Sequence, residues 1–207
     1  MKNVVLLGKG KVAVLASAWF KDHRKKYNLK LIVPSMPEPT WTDSITEWAN
    51  EAKVPVLKSG KYQDVPNDMG IDLAVSIFYD KIIKKNFIDR CGDIINLHNS
   101  PLPFYRGVRP INWAMKNGEN HHGVTIHRIA PGIDDGPIYG QLTYPIYPEV
   151  ESIKDVYDKS VDYGWSLFKD VMSKFEHLQP YQQQGEGSYY SSKDNDKLGE
   201  WEGWSSK

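Results

Sequence analysis

Short apolar runs alternate in the first half of the chain with stretches whose apolar residues recur at helical spacing. Val4 to Leu7 form the first run, and beyond Gly10 the apolar positions follow the period of a helix as far as Phe20. Continuous runs of four to eight residues predict strands, whereas a 3.6-residue spacing predicts helices. Further strands are predicted over residues 29–33, 54–57, 73–77 and 94–98. Helices are predicted over residues 41–52 and 82–88, the first beginning at Thr40 or Thr42.

The pattern changes after Val108. A helix is predicted over residues 111–117, and strand-like runs over residues 123–129 and 138–146 are expected to pair around a turn at 132–136. The longest helical stretch covers residues 152–178, with Ser152 as its N-cap. Strands that alternate with helices imply βαβ units and a mostly parallel sheet. We predict a catalytic domain over residues 1–178 and an aromatic-containing C-terminal extension over residues 179–207 that packs on it.

Composition narrows the class of protein. The 207 residues suffice for one well-buried domain with a small appendage, and 26 Lys+Arg balance 26 Asp+Glu, so no net charge attracts nucleic acid or a membrane. Cys91, the single cysteine, excludes an intrachain disulfide and favours a reducing cytoplasm. The apolar stretch near the N-terminus is too short for a signal peptide or a membrane span, so export is not expected.

The histidines outside the central motif predict no metal site. His23 and His177 are expected on helix surfaces, and His121 with His122 in a solvated polar turn. His127 lies in a predicted strand, where it is either structural or lines a cleft. No histidine or carboxylate spacing on a predicted helix is typical of a metal-binding motif.

The turn between the first strand and the first helix is a partial dinucleotide fingerprint, Gly-x-Gly-x-x-Ala. Glycines at such a turn let the backbone approach a phosphate group. The acidic residue that would bind a ribose after the second strand is missing, because that place holds Val33, Pro34 and Ser35. A structural strand-to-helix turn is therefore the favoured interpretation.

Candidate chemistry begins at the end of the strand that contains Asn96 and His98. Strand side chains alternate, so these two project to the same side, at the strand end where α/β sheets bind ligands. Asp134 and Asp135 lie in a later turn. A carboxylate beside an imidazole fixes its tautomer, and an amide donates to a developing oxyanion. These groups predict a site that polarises a carbonyl and moves a proton.

Residues 96–107 read Asn-Leu-His-Asn-Ser-Pro-Leu-Pro-Phe-Tyr-Arg-Gly and resemble the signature of 10-formyltetrahydrofolate-dependent formyltransferases. Residues 109–113, 117–119, 123–128 and 133–138 continue the resemblance in order, and it extends over residues 73–146. It implies a Rossmann-like formyltransferase core with a mostly parallel sheet flanked by helices. It also implies that Asn96, His98 and Asp134 are catalytic. Asp134 is preferred to Asp135 because it precedes Asp-Gly-Pro-Ile at the family's spacing.

The resemblance further implies 10-formyltetrahydrofolate as the formyl donor, read largely by backbone groups of two segments. The expected cofactor-binding residues are Phe78, Tyr79, Asp80, Lys81, Ile82, Ile83, Ile133, Asp135 and Gly136. The expected substrate-binding residues are Gly8, Lys9, Gly10, Ser100, Tyr105, Arg106 and Arg109.

The acceptor amine is less well specified, since enzymes with this core act on glycinamide ribonucleotide, methionyl-tRNA, nucleotide-linked amino sugars or carrier-bound aminoacyl groups. A tRNA enzyme is disfavoured, because it normally carries a further C-terminal domain and surplus positive charge. Residues 106–128 are most similar to sugar N-formyltransferases, which predicts a UDP- or dTDP-linked amino-dideoxy sugar as the partner and a role in surface-glycan biosynthesis. Phosphoribosylglycinamide formyltransferase is the enzymatic alternative. A non-catalytic folate or nucleotide-sugar binding module is an alternative of another class.

The aromatic residues of the tail have two interpretations. They either stack on a base or a sugar, or cover a hydrophobic edge or a dimer interface. They are Tyr189, Tyr190, Trp201 and Trp204. A symmetric homodimer is the commonest assembly for a protein of this kind.

Overall fold

The computed structural model describes residues 1–204 and divides the chain into two compact units. The first unit comprises Met1–Asn96 and Arg128–Pro131. The second comprises Leu97–His127 together with the chain from Gly132 onwards.

The first unit is built on parallel strands with apolar side chains on both faces. Its elements are β1 (Lys2–Gly8), α1 (Gly10–Asp22), β2 (Tyr27–Pro34), α2 (Ile45–Glu51), β3 (Ile71–Ile77), α3 (Lys85–Ile88) and most of β4 (Cys91–His98). The strand order is β2-β1-β3-β4, and β1 is parallel to both β2 and β3. Val4, Val5, Leu6 and Leu7 of β1 are fully buried, as expected for a strand covered on both faces.

Gly8 permits the close approach of β1 to β3 at the carboxyl end of the strands. A Cβ at residue 8, where φ is +155°, would overlap the carbonyl oxygen of Ile77, and the N–H of Lys9 donates to that oxygen at 3.2 Å. The packing of the strands by itself thus requires glycine here. This glycine alone does not indicate a phosphate site.

Three predicted elements of the first unit were wrong in extent. Helix α2 begins at Ile45, because Ser44 accepts a hydrogen bond from the N–H of Glu47, while the Thr42 hydroxyl accepts one from the N–H of Lys11 instead. The strand predicted over residues 54–57 reduces to a single bridge between Ile32 and Val56, next to a proline that cannot donate. The helix predicted over residues 82–88 is the single turn α3.

The second unit combines an antiparallel hairpin with a long helix. Its elements are the end of β4, β5 (Arg106–Gly107), α4 (Pro110–Lys116), β6 (His121–Arg128), β7 (Ile138–Pro145), α5 (Ile153–Lys174) and β8 (Tyr189–Tyr190). Only the last residue of β6, Arg128, belongs to the first unit. The predicted hairpin is confirmed, since β6 and β7 pair antiparallel. Ser152 is the N-cap of α5, as predicted, and it also forms a capping box with Asp155. A 3-10 turn replaces the end of the predicted helix. The predicted α/β fold with a mostly parallel sheet is confirmed.

The short parallel pair β5-β8 was not predicted. Tyr190 of β8 stacks on Trp113, with ring centroids 4.2 Å apart, and on Tyr105, with centroids 5.8 Å apart. The Tyr190 ring is therefore packed against other aromatic rings of this unit, whereas the side chain of Tyr189 is half exposed.

Among residues 1–204, no helix has both the length and the apolar character needed to cross a membrane. Cys91 is a free, partly buried thiol.

The prediction that His122 is solvated was wrong. His121 and His122 begin β6, and strand alternation exposes the first side chain and buries the second completely. The Nε2 atom of His122 lies 2.7 Å from the carbonyl oxygen of Asn99, and Nδ1 has no hydrogen-bond partner in the described chain. A carbonyl only accepts, so the ring is held as the neutral Nε2–H tautomer. Burial, opposed by the Asn99 contact and assisted by His98, lowers the pKa of His122 from 6.5 to about 4.

We expect His122 to destabilise the fold as the pH falls. Above pH 6.5 the ring is neutral in both the folded and the unfolded chain, but between pH 6.5 and about 4 only the unfolded chain takes up this proton. The free energy of unfolding should fall through this window by about 3 kcal/mol on account of His122. Urea denaturation from pH 7.5 to 4.5 should show that the stability gap between wild type and His122→Gln narrows with falling pH. The matched control His121→Gln should give a constant gap, and a constant gap for both variants would contradict the argument.

Candidate active site

The two central residues of the predicted trio meet in the second unit. His98 ends β4 and is buried, and its Nδ1 atom lies 3.6 Å from Oδ2 of Asp134. Its Nε2 atom lies 2.9 Å from the carbonyl oxygen of Tyr105. Both partners of the ring are acceptors, so this environment accommodates the imidazolium form. The 3.6 Å separation is longer than a hydrogen bond, so the contact is an ion-pair geometry rather than a hydrogen bond.

Asn96, the third predicted catalytic residue, belongs to the first unit. It lies two residues before His98 on β4 and is partly buried. Its catalytic role stays a prediction.

A second histidine contacts Asp134, and sequence reasoning did not assign it. His127 on β6 is 1% exposed, and its Nε2 atom lies 3.4 Å from Oδ1 of Asp134. The two imidazole rings stand nearly perpendicular, with centroids 6.4 Å apart. The carboxylate therefore has one oxygen towards each ring. A histidine in a predicted strand was the available signal, but its partner is 7 positions further along the chain, across a turn.

The charge of Asp134 is held by its surroundings. Burial alone would raise the pKa of this carboxyl, but the charge of His98, the contact with His127 and the N–H of Gly107, 2.9 Å from Oδ2, hold the pKa below its usual value. Asp134 is therefore a carboxylate at neutral pH. Its φ of +50° is left-handed, a conformation that aspartate tolerates better than most residues.

Asp134 and its neighbour Asp135 have different surroundings. Asp135 is exposed, and its carboxyl group lies against Gly132, where a Cβ would overlap it. Asp134 rather than Asp135 faces His98.

The expected cofactor residues occur in both units. Residues 78–83 follow β3 in the first unit, where Tyr79 donates its hydroxyl to the carbonyl oxygen of Gly60 at 2.8 Å. Burial raises the pKa of Tyr79 to about 12. Lys81 donates to the same Gly60 oxygen at 3.1 Å, and Asp80 lies 3.8 Å from Lys9, one of the expected substrate residues. Ile133, Asp135 and Gly136 belong to the Asp134 loop of the second unit. Their contacts with folate stay predictions.

The expected substrate residues of the second unit all have partners within the chain. Ser100 is fully buried and donates to the carbonyl oxygen of Phe104 at 2.7 Å, and Tyr105 donates its hydroxyl to Glu119. Arg106 donates to the carbonyl oxygen of Glu186, and Arg109 donates to that of Glu202. Gly8, Lys9 and Gly10 lie in the first unit. Substrate contacts for these residues stay predictions.

We expect Asp134→Asn to destabilise the protein at pH 6, because the variant leaves two buried imidazoles without their carboxylate. Its free energy of unfolding should be lower than that of wild type by about 2 kcal/mol. The pKa of Asp134 is depressed, so this contribution is complete above the usual value of 3.8 and is lost as the pH falls below it. Denaturant titrations should show this, with Asp135→Asn as the exposed control. Equal stability of the two variants would contradict the charge assignment.

Comparison with known proteins identifies the family to which this chain belongs. Residues 46–172 match the family model described as formyl transferase. The methionyl-tRNA formyltransferase of Thermus thermophilus is 29% identical over 178 residues, which are 80% of this chain and 58% of that protein. The phosphoribosylglycinamide formyltransferase of Haemophilus influenzae is 34% identical over 113 residues, 54% of this chain and 53% of that protein. The chain thus spans little more than half the length of these curated relatives.

A solved structure is also similar over nearly the whole chain. The N-formyltransferase of Helicobacter canadensis, in complex with folinic acid and dTDP-3-aminofucose, superposes with a TM-score of 0.80 and 25% identity. The similarity covers 94% of this chain and 72% of that one. Because the family model matches more than half of its residues, the chain belongs to the formyl transferase family.

Proposed function

We propose that this protein transfers a formyl group from 10-formyltetrahydrofolate to the primary amine of a UDP- or dTDP-linked amino-dideoxy sugar. The observation that carries the proposal is the His98–Asp134 pair, whose Nδ1 and Oδ2 atoms lie 3.6 Å apart in a chain of the formyl transferase family. The similarity to the Helicobacter canadensis enzyme supports both the folate and the nucleotide-linked sugar.

The residues expected to hold the donor fit a folate. In the second unit, Ile133 of the Asp134 loop is a large apolar side chain that is 38% exposed. Exposed apolar surface of this kind suits an aromatic ring system. When bound, the donor supplies the formyl carbon that the acceptor amine attacks.

The charged pair suits acyl transfer to an amine. Attack on the formyl carbon places negative charge on the carbonyl oxygen, which the Asn96 amide and the His98 imidazolium stabilise. Asp134 orients His98 and assists removal of a proton from the amine that adds to the formyl carbon, and tetrahydrofolate is the leaving group when its bond to that carbon breaks. The Tyr105 carbonyl oxygen holds the far side of the His98 ring, so the Nδ1 edge keeps a fixed direction.

A second acceptor is supported by a separate observation. The Haemophilus influenzae relative is 34% identical to this chain, so phosphoribosylglycinamide is the alternative acceptor. Methionyl-tRNA is less well supported, because recognition of tRNA depends on surplus positive charge and this chain has 26 Lys+Arg against 26 Asp+Glu.

We expect a panel of amine acceptors with 10-formyltetrahydrofolate to rank a nucleotide-linked amino sugar first. The panel should include UDP- and dTDP-linked amino-dideoxy sugars, phosphoribosylglycinamide and methionyl-tRNA, each assayed for kcat/KM. Phosphoribosylglycinamide or methionyl-tRNA in first place would overturn the acceptor assignment. Binding of folate without turnover of any acceptor would favour a non-catalytic binding module.

We expect His98→Asn to reduce kcat about a hundred to ten thousand fold, because the variant loses the cation that faces the developing oxyanion. His121→Asn makes the same chemical change at an exposed position of β6 and should retain wild-type turnover. Thermal unfolding of both variants controls for loss of folded protein. Turnover by His98→Asn close to that of wild type would refute the catalytic assignment.

A further inference from the structure

The segment of residues 181–190, here called the C-terminal strap, reaches the loop that carries Asp134. The Nε2 atom of Gln183 donates to the carbonyl oxygen of Asp134 at 2.8 Å and to that of Gly136 at 2.9 Å. One primary amide therefore uses both of its N–H groups to span the loop. The family model ends at residue 172, so Gln183 lies outside the residues that it matches.

The loop needs such support. Asp134 has a φ of +50°, a left-handed conformation that residues other than glycine rarely adopt. The oxygen of the Gln183 amide is buried and has no hydrogen-bond partner among residues 1–204. The amide is thus oriented by its two donors, since rotation by 180° would place its oxygen against two carbonyl oxygens.

The strap also holds the other side of the catalytic pair. In the β5-β8 ladder, Arg106 donates its N–H to the carbonyl oxygen of Ser188 at 2.9 Å, and the Ser188 hydroxyl accepts from the N–H of Tyr105 at 2.8 Å. The same short segment supplies the Tyr105 oxygen to His98 and the Gly107 N–H to Asp134. The backbone groups that bind both members of the pair are therefore fixed by the strap.

We propose that Gln183 is a positioning residue of the reaction, which fixes the Asp134 loop so that the carboxylate faces His98. The inference rests on the proposed formyl transfer and adds to it a residue that acts through Asp134. Gln182 and Gln184 flank Gln183 and are exposed, so the chain offers matched controls for the same side chain.

The test is the isosteric variant Gln183→Glu. It removes both donors and places a carboxylate against the carbonyl oxygens of Asp134 and Gly136. A displacement of catalytic groups by about 1 Å lowers turnover about a hundredfold, so we expect kcat to fall about ten- to a hundredfold. KM for the acceptor should stay within about twofold of wild type, because positioning acts on the transition state. Gln182→Glu adds the same charge at an exposed neighbour and should leave kcat unchanged.

A second variant and a spectroscopic measurement keep the proposal testable if Gln183→Glu does not fold. Gln183→Met lacks donors but adds no charge, and should also lower kcat without raising the KM for the acceptor. In spectra of protein labelled with ¹⁵N in its histidines, the ring signals of His98 and His127 should move in Gln183→Met, while those of His121 and His177 should not.

Two outcomes would overturn the proposal: a kcat close to that of wild type in Gln183→Met and in any folded Gln183→Glu, or a loss confined to KM. Unmoved ring signals of His98 and His127 would also overturn it. If the wild type formylates none of the acceptors, the proposed function fails, yet the histidine spectra still decide whether Gln183 positions Asp134.

Discussion

The buried charge of Asp134 is the constraint on which the second unit depends. A carboxylate removed from water is stable only when it is paired and hydrogen-bonded. Here His98, His127 and the Gly107 N–H together meet that need and keep the pKa of the carboxyl below its usual value. The end of β4, the end of β6 and the short strand β5 are thereby all in contact with one side chain.

The fold could be predicted where a local pattern is sufficient. The four buried residues of β1 form a continuous apolar run, and Ser152 with Asp155 forms a capping box within four residues. The start of α2 could not be predicted, because the Thr42 hydroxyl binds the N–H of Lys11, 31 positions away. The local sequence does not show whether a hydroxyl that could cap a helix is already hydrogen-bonded to a distant residue.

The site residues also fall into those that a local motif predicts and those that only the fold brings together. Asn96, His98 and Asp134 stand in a long motif, and the pairing of His98 with Asp134 is visible in the structure. His127 and Gln183 were missed because both contact Asp134 through the fold. His127 meets its carboxylate across a turn, and Gln183 binds its carbonyl oxygen from 49 positions away. His122 was misassigned, although strand alternation allows only one residue of a His-His pair to be exposed on a half-buried strand.

The contacts of the buried Asp134 carboxylate also orient the His98 ring. The His98 ring has an acceptor near each nitrogen, the Tyr105 oxygen at 2.9 Å and the Asp134 carboxylate at 3.6 Å. Both acceptors are fixed by backbone that the C-terminal strap binds, so the His98 ring is held in one direction. Under the proposed function, a developing oxyanion meets a ring that is already oriented, without reorganisation of the surrounding dipoles, which is where most electrostatic stabilisation of transition states originates. Under the proposed function the pair acts on the formyl group, and the choice of acceptor is left to residues outside the pair.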